Sequence, residues 1–230
     1  MAPVSSVGLL AAAVRYALGG AALVAPPLLA RPTPCRGWDL EMLLDHLGDS
    51  IGVLHDAMTT AGVPADAAPG RSGLGPDPVA RLRGQAARLL DACGAGGPTE
   101  RRVAVGDRAL AASMVAVTGA IEVTVHGWDL WVACGALRPV PPGLAAVLLP
   151  IAPLLITPGT RPGLFADPVR LPGPASPGDQ LVAFCGRQPL PLGAPAPGAL
   201  QPGTRPEVTR TSEVTGRSAA IPGSPAGLYP

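Results

Sequence analysis

Apolar residues recur at three- and four-residue spacing early in the chain, and the clearest run predicts an amphipathic helix over residues 38–61. Its apolar side consists of Leu40, Leu43, Leu44, Leu47, Ile51 and Leu54. This spacing places the six side chains on one face of an α-helix. Thr33 or Asp39 can cap the helix start, and Glu41 adds a favourable charge in the first turn.

The same pattern predicts four more helices. They span residues 5–19, 77–93, 109–134 and 143–156. The third of these is almost entirely apolar. Its β-branched residues leave a strand around 121–125 as the alternative, although its length favours a buried helix. Residues 62–76 are predicted as a loop and residues 101–106 as a short extended segment, so the predicted fold class is all-α.

Residues 139–160 carry no charge, but they include six prolines. A membrane-spanning helix needs about 20 apolar residues and tolerates few prolines, so this segment predicts a buried, broken helix. Residues 1–30 are apolar, but they lack a basic start and Arg15 interrupts them, which argues against a signal peptide. We therefore expect a cytoplasmic protein with no membrane partner.

The end of the chain has a different composition. Gly and Pro number 30 each, and from about residue 187 they recur every few positions while apolar periodicity disappears. Such a segment cannot bury enough surface to offset its ordering entropy. We predict a helical domain over residues 1–186 and a disordered Pro/Gly-rich tail over residues 187–230.

Charge and cysteine usage argue against a nucleic-acid-binding protein and against a disulfide-stabilised one. The net charge is +1 without a basic cluster, and aromatic residues make up 3% of the chain, so a nucleic-acid partner is not expected. The four cysteines are widely spaced and form no CxxC pair. They predict buried thiols in a reducing cytosol rather than a disulfide framework.

Glu122 and His126 are the most unusual residues of the chain, because they lie four positions apart in an otherwise apolar run. On a helix they share one face, one turn apart. A carboxylate in apolar surroundings is costly unless it is paired or coordinated. A metal ion would satisfy both side chains, and an ordinary Glu–His hydrogen bond is the alternative.

His46 adds a third candidate ligand. It lies on the apolar side of the helix over 38–61, and metal sites of helical bundles are built from side chains on facing helices. The alternative is a hydrogen-bonded core histidine. His55 follows nine residues later, about half a turn away around the helix, so it is predicted to face solvent and is excluded.

Two histidines and one carboxylate suit Zn²⁺ with a fourth position open, and they would also accept Fe²⁺, Ni²⁺ or Mn²⁺. Three protein ligands favour a reactive site over a structural one. No P-loop, dinucleotide fingerprint or Ser-His-Asp order competes with this interpretation.

Several weaker candidates surround these ligands. Asp129 shares the helix face of Glu122 and could orient a ligand, as could Asp39 near His46, while capping or a surface charge is the alternative for both. Cys35 precedes a helix start, which can lower a thiol pKa, or it is an inert loop thiol. The tryptophans at positions 38 and 128 line a pocket or simply pack in the core.

Three segments resemble a known family. Thr-Pro-Cys-Arg-Gly-Trp-Asp at 33–39, with Leu-Leu-Asp-His-Leu at 43–47, resembles the second-helix signature of the DinB-like superfamily. More narrowly, it resembles the N-terminal domain of mycothiol-dependent maleylpyruvate isomerase. Glu-Val-Thr-Val-His-Gly-Trp-Asp-Leu at 122–130 resembles that family's second signature. Residues 163–186 are similar to the end of a group of small actinobacterial metal-binding proteins, and the whole resemblance covers roughly residues 5–188.

The resemblance implies a DinB-like four-helix bundle, here with an additional C-terminal helical segment. It also implies that His46, Glu122 and His126 are the metal ligands. The isomerase relatives use the low-molecular-weight thiol mycothiol, whose thiolate the metal activates, and other superfamily members are thiol S-transferases. The chain departs from the isomerases in its Pro-rich tail, and it contains no recognisable copy of their separate C-terminal domain.

The leading hypothesis is a zinc-dependent, mycothiol-using transferase or isomerase that acts on a small-molecule electrophile, with Asp129 orienting a ligand. Ni, Fe or Mn could replace Zn. Two other functions remain open: hydrolysis by a metal-bound hydroxide, and a non-catalytic metal-binding or sensing module whose tail contacts a partner. A bundle that binds no metal is the remaining alternative.

Overall fold

The computed structural model describes residues 5–60, 62–63, 77–95, 101–105 and 108–189. In these ranges the chain forms six α-helices and three short strands, with a 3-10 turn at Pro26–Leu28. The helices are α1 (Ser6–Ala21), α2 (Leu40–Thr59), α3 (Pro78–Gly94), α4 (Ala112–Ala133), α5 (Pro142–Leu155) and α6 (Pro177–Phe184). The strands are β1 (Gly62–Val63), β2 (Arg102–Val105) and β3 (Arg108–Ala111).

The first four helices form the predicted bundle. α1 packs along α4, α2 lies against both α3 and α4, and α3 also contacts α1. The predicted apolar face of α2 supplies the centre of the core, since Leu40, Leu43, Leu44, Leu47 and Ile51 are completely buried. The all-α prediction is confirmed, and the segment 121–125 is helical rather than extended.

Small residues allow α1 and α4 to approach closely. A Cβ atom added at Gly127 of α4 would lie 3.1 Å from Cα of Ala17 in α1. A Cβ atom added at Gly20 of α1 would lie 3.1 Å from Cβ of Leu130 in α4. Because the α4 backbone meets the α1 backbone at Gly127 and the base of the Leu130 side chain meets α1 at Gly20, α4 has little freedom to shift or rotate against α1.

A small sheet covers the start of α4. β1 pairs with β2 in parallel, and β2 pairs with β3 in antiparallel orientation. The predicted extended segment at 101–106 is confirmed by β2, but the prediction that α4 starts at residue 109 is wrong. Residues 109–111 pair with β2 instead, because a short apolar run fits a strand as well as a helix.

α5 and α6 pack on each other beside the bundle, and α6 is the predicted additional C-terminal helix. The prediction of a buried, broken helix over 139–160 is wrong. α5 is continuous through Pro150 and Pro153, and its outer face is exposed, with Leu154 retaining 75% of its accessible surface. The two prolines lie on the exposed side, where water can satisfy the backbone carbonyls that they leave unpaired.

No helix among the described residues is long and apolar enough to cross a membrane. Most of the predicted tail, residues 190–230, lies outside the described residues. The first residue of the predicted tail, Arg187, is described, and its side chain is buried.

Candidate metal centre

α2 brings His46 against α4. The helix begins at Asp39, whose Oδ1 accepts a hydrogen bond of 2.9 Å from the backbone N–H of Met42. His46 lies in the second turn after this cap, beside the buried Leu43 and Leu47. Asp39 is thus an N-cap, which is the alternative that the sequence left open for it.

α4 brings Glu122 and His126 to the same place. The two residues are one helical turn apart on a helix whose surface is mostly buried. Oε1 of Glu122 lies 2.9 Å from Nε2 of His46 and 3.2 Å from Nε2 of His126. The structure thus brings together the three residues that the sequence predicted as ligands. Their exposed side-chain fractions are 28% for His46, 15% for Glu122 and 8% for His126, so the cluster opens to solvent on the His46 side.

The separations of these atoms fit a shared metal ion. Ligand atoms bound at about 2.1 Å to one metal lie about 3.0–3.4 Å apart at tetrahedral or octahedral angles. The two contacts to Glu122 Oε1 are already at or near that separation, and all three ligand atoms lie within 4.8 Å of one another. A metal ion could therefore replace the two hydrogen-bonding protons with only small side-chain movements.

Asp129 fixes the orientation of the His126 ring. Its Oδ2 lies 3.0 Å from Nδ1 of His126, and its side chain is completely buried. Because this ionised carboxylate can only accept, Nδ1 carries the proton and donates it. Nε2 is then the nitrogen available for a metal, which is the usual arrangement of a carboxylate behind a metal-binding histidine.

Arg187 holds Asp129 from the other side. Its Nη2 donates to Oδ2 of Asp129 at 2.9 Å, its Nε lies 3.4 Å from Oδ1, and its Nη1 donates to the backbone carbonyl of Cys185 at 2.9 Å. Arg187 follows α6, far from the ligands in sequence, and sequence reasoning assigned it to the tail. Its signal in the sequence is a single Arg that follows the apolar run at 181–185 after one glycine.

The charges of this cluster hold one another ionised. Burial raises the pKa of Glu122, but the charge of His126 and the hydrogen bonds from both histidines outweigh it and hold that pKa well below its usual range. Burial lowers the pKa of His126, but Glu122 and Asp129 outweigh it and raise that pKa to about 9. In the metal-free protein His126 is therefore a cation at neutral pH, and a metal must displace a proton from it.

Trp38 covers the two ligand rings. Its ring is nearly parallel to that of His126, with an interplanar angle of 11° and centroids 5.9 Å apart. It meets the His46 ring edge to face at 4.7 Å. Trp38 therefore packs against the rings of both candidate histidine ligands. Trp128 is instead a buried core residue.

A second group of potential ligands, formed by Cys35, His126 and Asp129, lies behind the first. It shares His126 with the first group, and the Arg187 guanidinium lies 3.7 Å from Sγ of Cys35. A cation at this position would face the positive charge of Arg187, so the first group is the better metal site. Burial also raises the pKa of Cys35 to about 11, against the opposing effect of Arg187, which contradicts a thiol activated by the helix start.

His55 lies outside both groups. Its Nδ1 is 3.1 Å from Oδ1 of Asp56, and 24% of its side chain is exposed. Excluding it from the candidate ligands is consistent with this position. The His55 side chain is no more exposed than that of His46, so the prediction that it faces solvent is not borne out, and what separates the two histidines is their partner. Since His55 pairs with the exposed Asp56 on its own helix, the pair is a matched control for the cluster.

Comparisons with known proteins place this chain in a family. The family model of the mycothiol maleylpyruvate isomerase N-terminal domain matches residues 10–131, a span that contains the three candidate ligands and Asp129. Two uncharacterized proteins from two strains of Mycobacterium tuberculosis are each 30% identical to the chain over 161 residues, which is 69% of this chain and 85% of theirs. No solved structure matches the chain. The chain belongs to the mycothiol maleylpyruvate isomerase N-terminal domain family.

Proposed function

We propose that the protein binds one divalent metal ion, Zn²⁺ first among the candidates, through His46, Glu122 and His126. We propose further that it uses the site for thiol chemistry, in which a mycothiol thiolate attacks a carbon of a small electrophile. The outcome is S-transfer or thiol-assisted isomerisation. The observation that carries the proposal is the convergence of both histidine Nε2 atoms on one carboxylate oxygen, at 2.9 and 3.2 Å, in a chain of this family.

The charge of the cluster supports an anionic partner. Glu122 and Asp129 each contribute one negative charge and Arg187 one positive charge, while His126 must be neutral at Nε2 to bind a metal. Among these groups, which contact one another directly, a divalent ion then leaves one net positive charge, and the partly exposed Asp49 beside His46 lies outside this set. A single thiolate neutralises this charge, and buried charges are tolerated when they are compensated in this way.

Each residue has a distinct part in this proposal. A bound divalent ion would act as a Lewis acid and favour the deprotonated form of a coordinated thiol. His46, Glu122 and His126 would hold that ion, and Asp129 keeps the His126 ring turned toward it. Trp38 shields one side of the two rings from water, so thiol and electrophile would enter from the exposed side of His46.

The protein would work in a reducing compartment. Its four cysteines are free thiols in the structure, as expected for a cytoplasmic protein, and a low-molecular-weight thiol is a cosubstrate that such a compartment supplies. The substrate class is a small electrophile with an unsaturated or otherwise activated carbon, of which maleylpyruvate is the one that the family's name indicates.

The test is turnover of a panel of such electrophiles by the zinc-loaded protein, with and without mycothiol. We expect turnover only when the thiol is present, and we expect it to disappear in Glu122→Gln and to persist in His55→Ala, which lies outside the cluster. Glutathione serves as the comparison thiol.

The other outcomes would each replace the proposal with a different function. Turnover without any thiol would indicate metal-hydroxide hydrolysis. Stoichiometric zinc without turnover of any electrophile would indicate a metal-binding or sensing module. Failure of the wild-type protein to bind zinc would overturn the metal site itself.

A further inference from the structure

We propose that Arg187 is a positioning residue of the metal centre, which holds the Asp129 carboxylate on Nδ1 of His126 and so keeps Nε2 of His126 directed at the metal. This inference rests on the proposed metal site, but it concerns a residue 56 positions beyond the end of the family match at residue 131. It makes the segment after α6 a functional part of the site rather than an appendage of the bundle.

The contacts form one continuous buried chain. Arg187 Nη2 and His126 Nδ1 both bind the same oxygen of Asp129, at 2.9 and 3.0 Å. The exposed side-chain fractions are 0% for Asp129, 7% for Arg187 and 8% for His126. With so little access to water, each group depends on the others for its hydrogen bonds.

Arg187 is itself fixed, so it can fix its neighbour. Its Nη1 is tied to the backbone carbonyl of Cys185, and the backbone N–H of Arg187 donates to the carbonyl of Val182 at 2.9 Å. Two nitrogens of the guanidinium face the two oxygens of Asp129, at 2.9 and 3.4 Å. This forked contact restrains the rotation of the carboxylate, which a single point charge would not do.

A purely structural ion pair between α4 and the C-terminal segment is the competing explanation. It would change the stability of the fold but not the affinity of the folded protein for metal. The two explanations separate in a double-mutant cycle, because Arg187 can act on the metal only through Asp129 if the proposal is correct.

The experiment measures the zinc affinity of Arg187→Gln, Asp129→Asn and the double variant by competition with a chromophoric chelator. Measurements are made well below each variant's unfolding temperature, so that only folded protein binds. Loss of a supporting partner behind a metal ligand typically costs about 10–100-fold in affinity. We expect a loss of about 10-fold in Arg187→Gln, and no further loss when Arg187→Gln is added to Asp129→Asn.

The control is Arg170→Gln, which removes the same charge from an exposed position between α5 and α6. It should leave zinc affinity unchanged.

If Arg187→Gln does not fold, Arg187→Lys replaces it. Lysine keeps the positive charge but cannot make the two-nitrogen contact with Asp129, so it should weaken zinc binding less than glutamine does. The absorption spectrum of the Co²⁺-loaded protein gives a second readout, since a turned imidazole changes the ligand geometry around cobalt.

Three results would overturn the inference. One is wild-type zinc affinity in Arg187→Gln, or in Arg187→Lys where that replaces it. Another is an equal loss in Arg170→Gln, and the third is full additivity in the double variant. Each requires that the wild-type protein binds zinc, whereas a wild-type protein without zinc would refute the metal site proposed above. The two failures are therefore distinguishable in one set of measurements.

Discussion

α2 contains two histidines in different surroundings, and replacing each by alanine gives a controlled test of the metal site. His46 faces Glu122 of α4, and His55, nine residues later, pairs with the exposed Asp56 of its own helix. Both substitutions remove the same side chain from the same kind of backbone. We expect only His46→Ala to abolish the stabilisation of the protein by zinc.

The magnitudes follow from the contacts. In the metal-free protein His46→Ala removes a hydrogen bond to a charged carboxylate, worth about 1.5–3 kcal/mol, and gains up to about 0.5 kcal/mol of helix propensity. For a chain of this size the net loss of about 1–3 kcal/mol lowers Tm by roughly 2–12 °C. Free zinc at about 1,000 times Kd stabilises a folded protein by about 4 kcal/mol, so it should raise the wild-type Tm by roughly 8–16 °C.

The assay is thermal unfolding followed by circular dichroism, with a chelator and then with zinc, for the wild type and both variants. Zinc should raise Tm in the wild type and in His55→Ala, and it should leave Tm of His46→Ala almost unchanged. An equal zinc-dependent rise in His46→Ala, or loss of the rise in His55→Ala, would refute the assignment of ligands.

Three further predictions concern packing and titration. Gly127→Val forces a side chain against the backbone of Ala17 and should cost about 1–3 kcal/mol in unfolding free energy by denaturant titration, whereas Gly84→Ala, with open space around it, should stabilise by about 0.5–1 kcal/mol. Because the pKa of Cys35 is about 11, its alkylation at pH 8 should be roughly 100-fold slower than that of a free thiol and should rise with pH; a rate like that of a small thiol would contradict this. The pKa of His126 is raised to about 9 in the folded, metal-free protein, so its protonation stabilises the fold fully below about pH 6.5 and this stability, on the order of 3 kcal/mol, is lost as pH rises through 9. Denaturant titrations across this pH range should show the loss of unfolding free energy in the wild type and not in His126→Ala. An equal dependence of the unfolding free energy on pH in the two proteins would contradict the prediction.

The periodic part of the fold was predictable from the sequence because burial of one helix face leaves a direct record in residue spacing. α2 shows this best: its apolar positions are the buried ones, and its predicted range of 38–61 contains the observed Leu40–Thr59. The three candidate ligands were also recognisable, since polar residues on such faces require a partner. Whether that partner is a metal remains a prediction.

Features that depend on distant contacts were not predictable in the same way. Residues 109–111 read as the start of a helix, but the backbone of β2 lies beside them and pairs with them. Arg187 read as part of a Pro/Gly-rich tail, because nothing in its neighbours reveals that a buried carboxylate 58 positions earlier needs a cation. Local patterns carry no information about such partners.

The position of Trp38 gives the site an intrinsic optical reporter. Its indole lies against both candidate ligand rings, within 6 Å between centroids, so any change in the charge of those rings acts directly on its fluorescence. The other two tryptophans, at positions 128 and 131, lie on α4. Comparing the wild type with a Trp38→Phe variant therefore isolates the contribution of Trp38 to the fluorescence. Occupation of the site can then be followed in the unlabelled protein, in real time, by the part of its emission that the Trp38→Phe variant lacks.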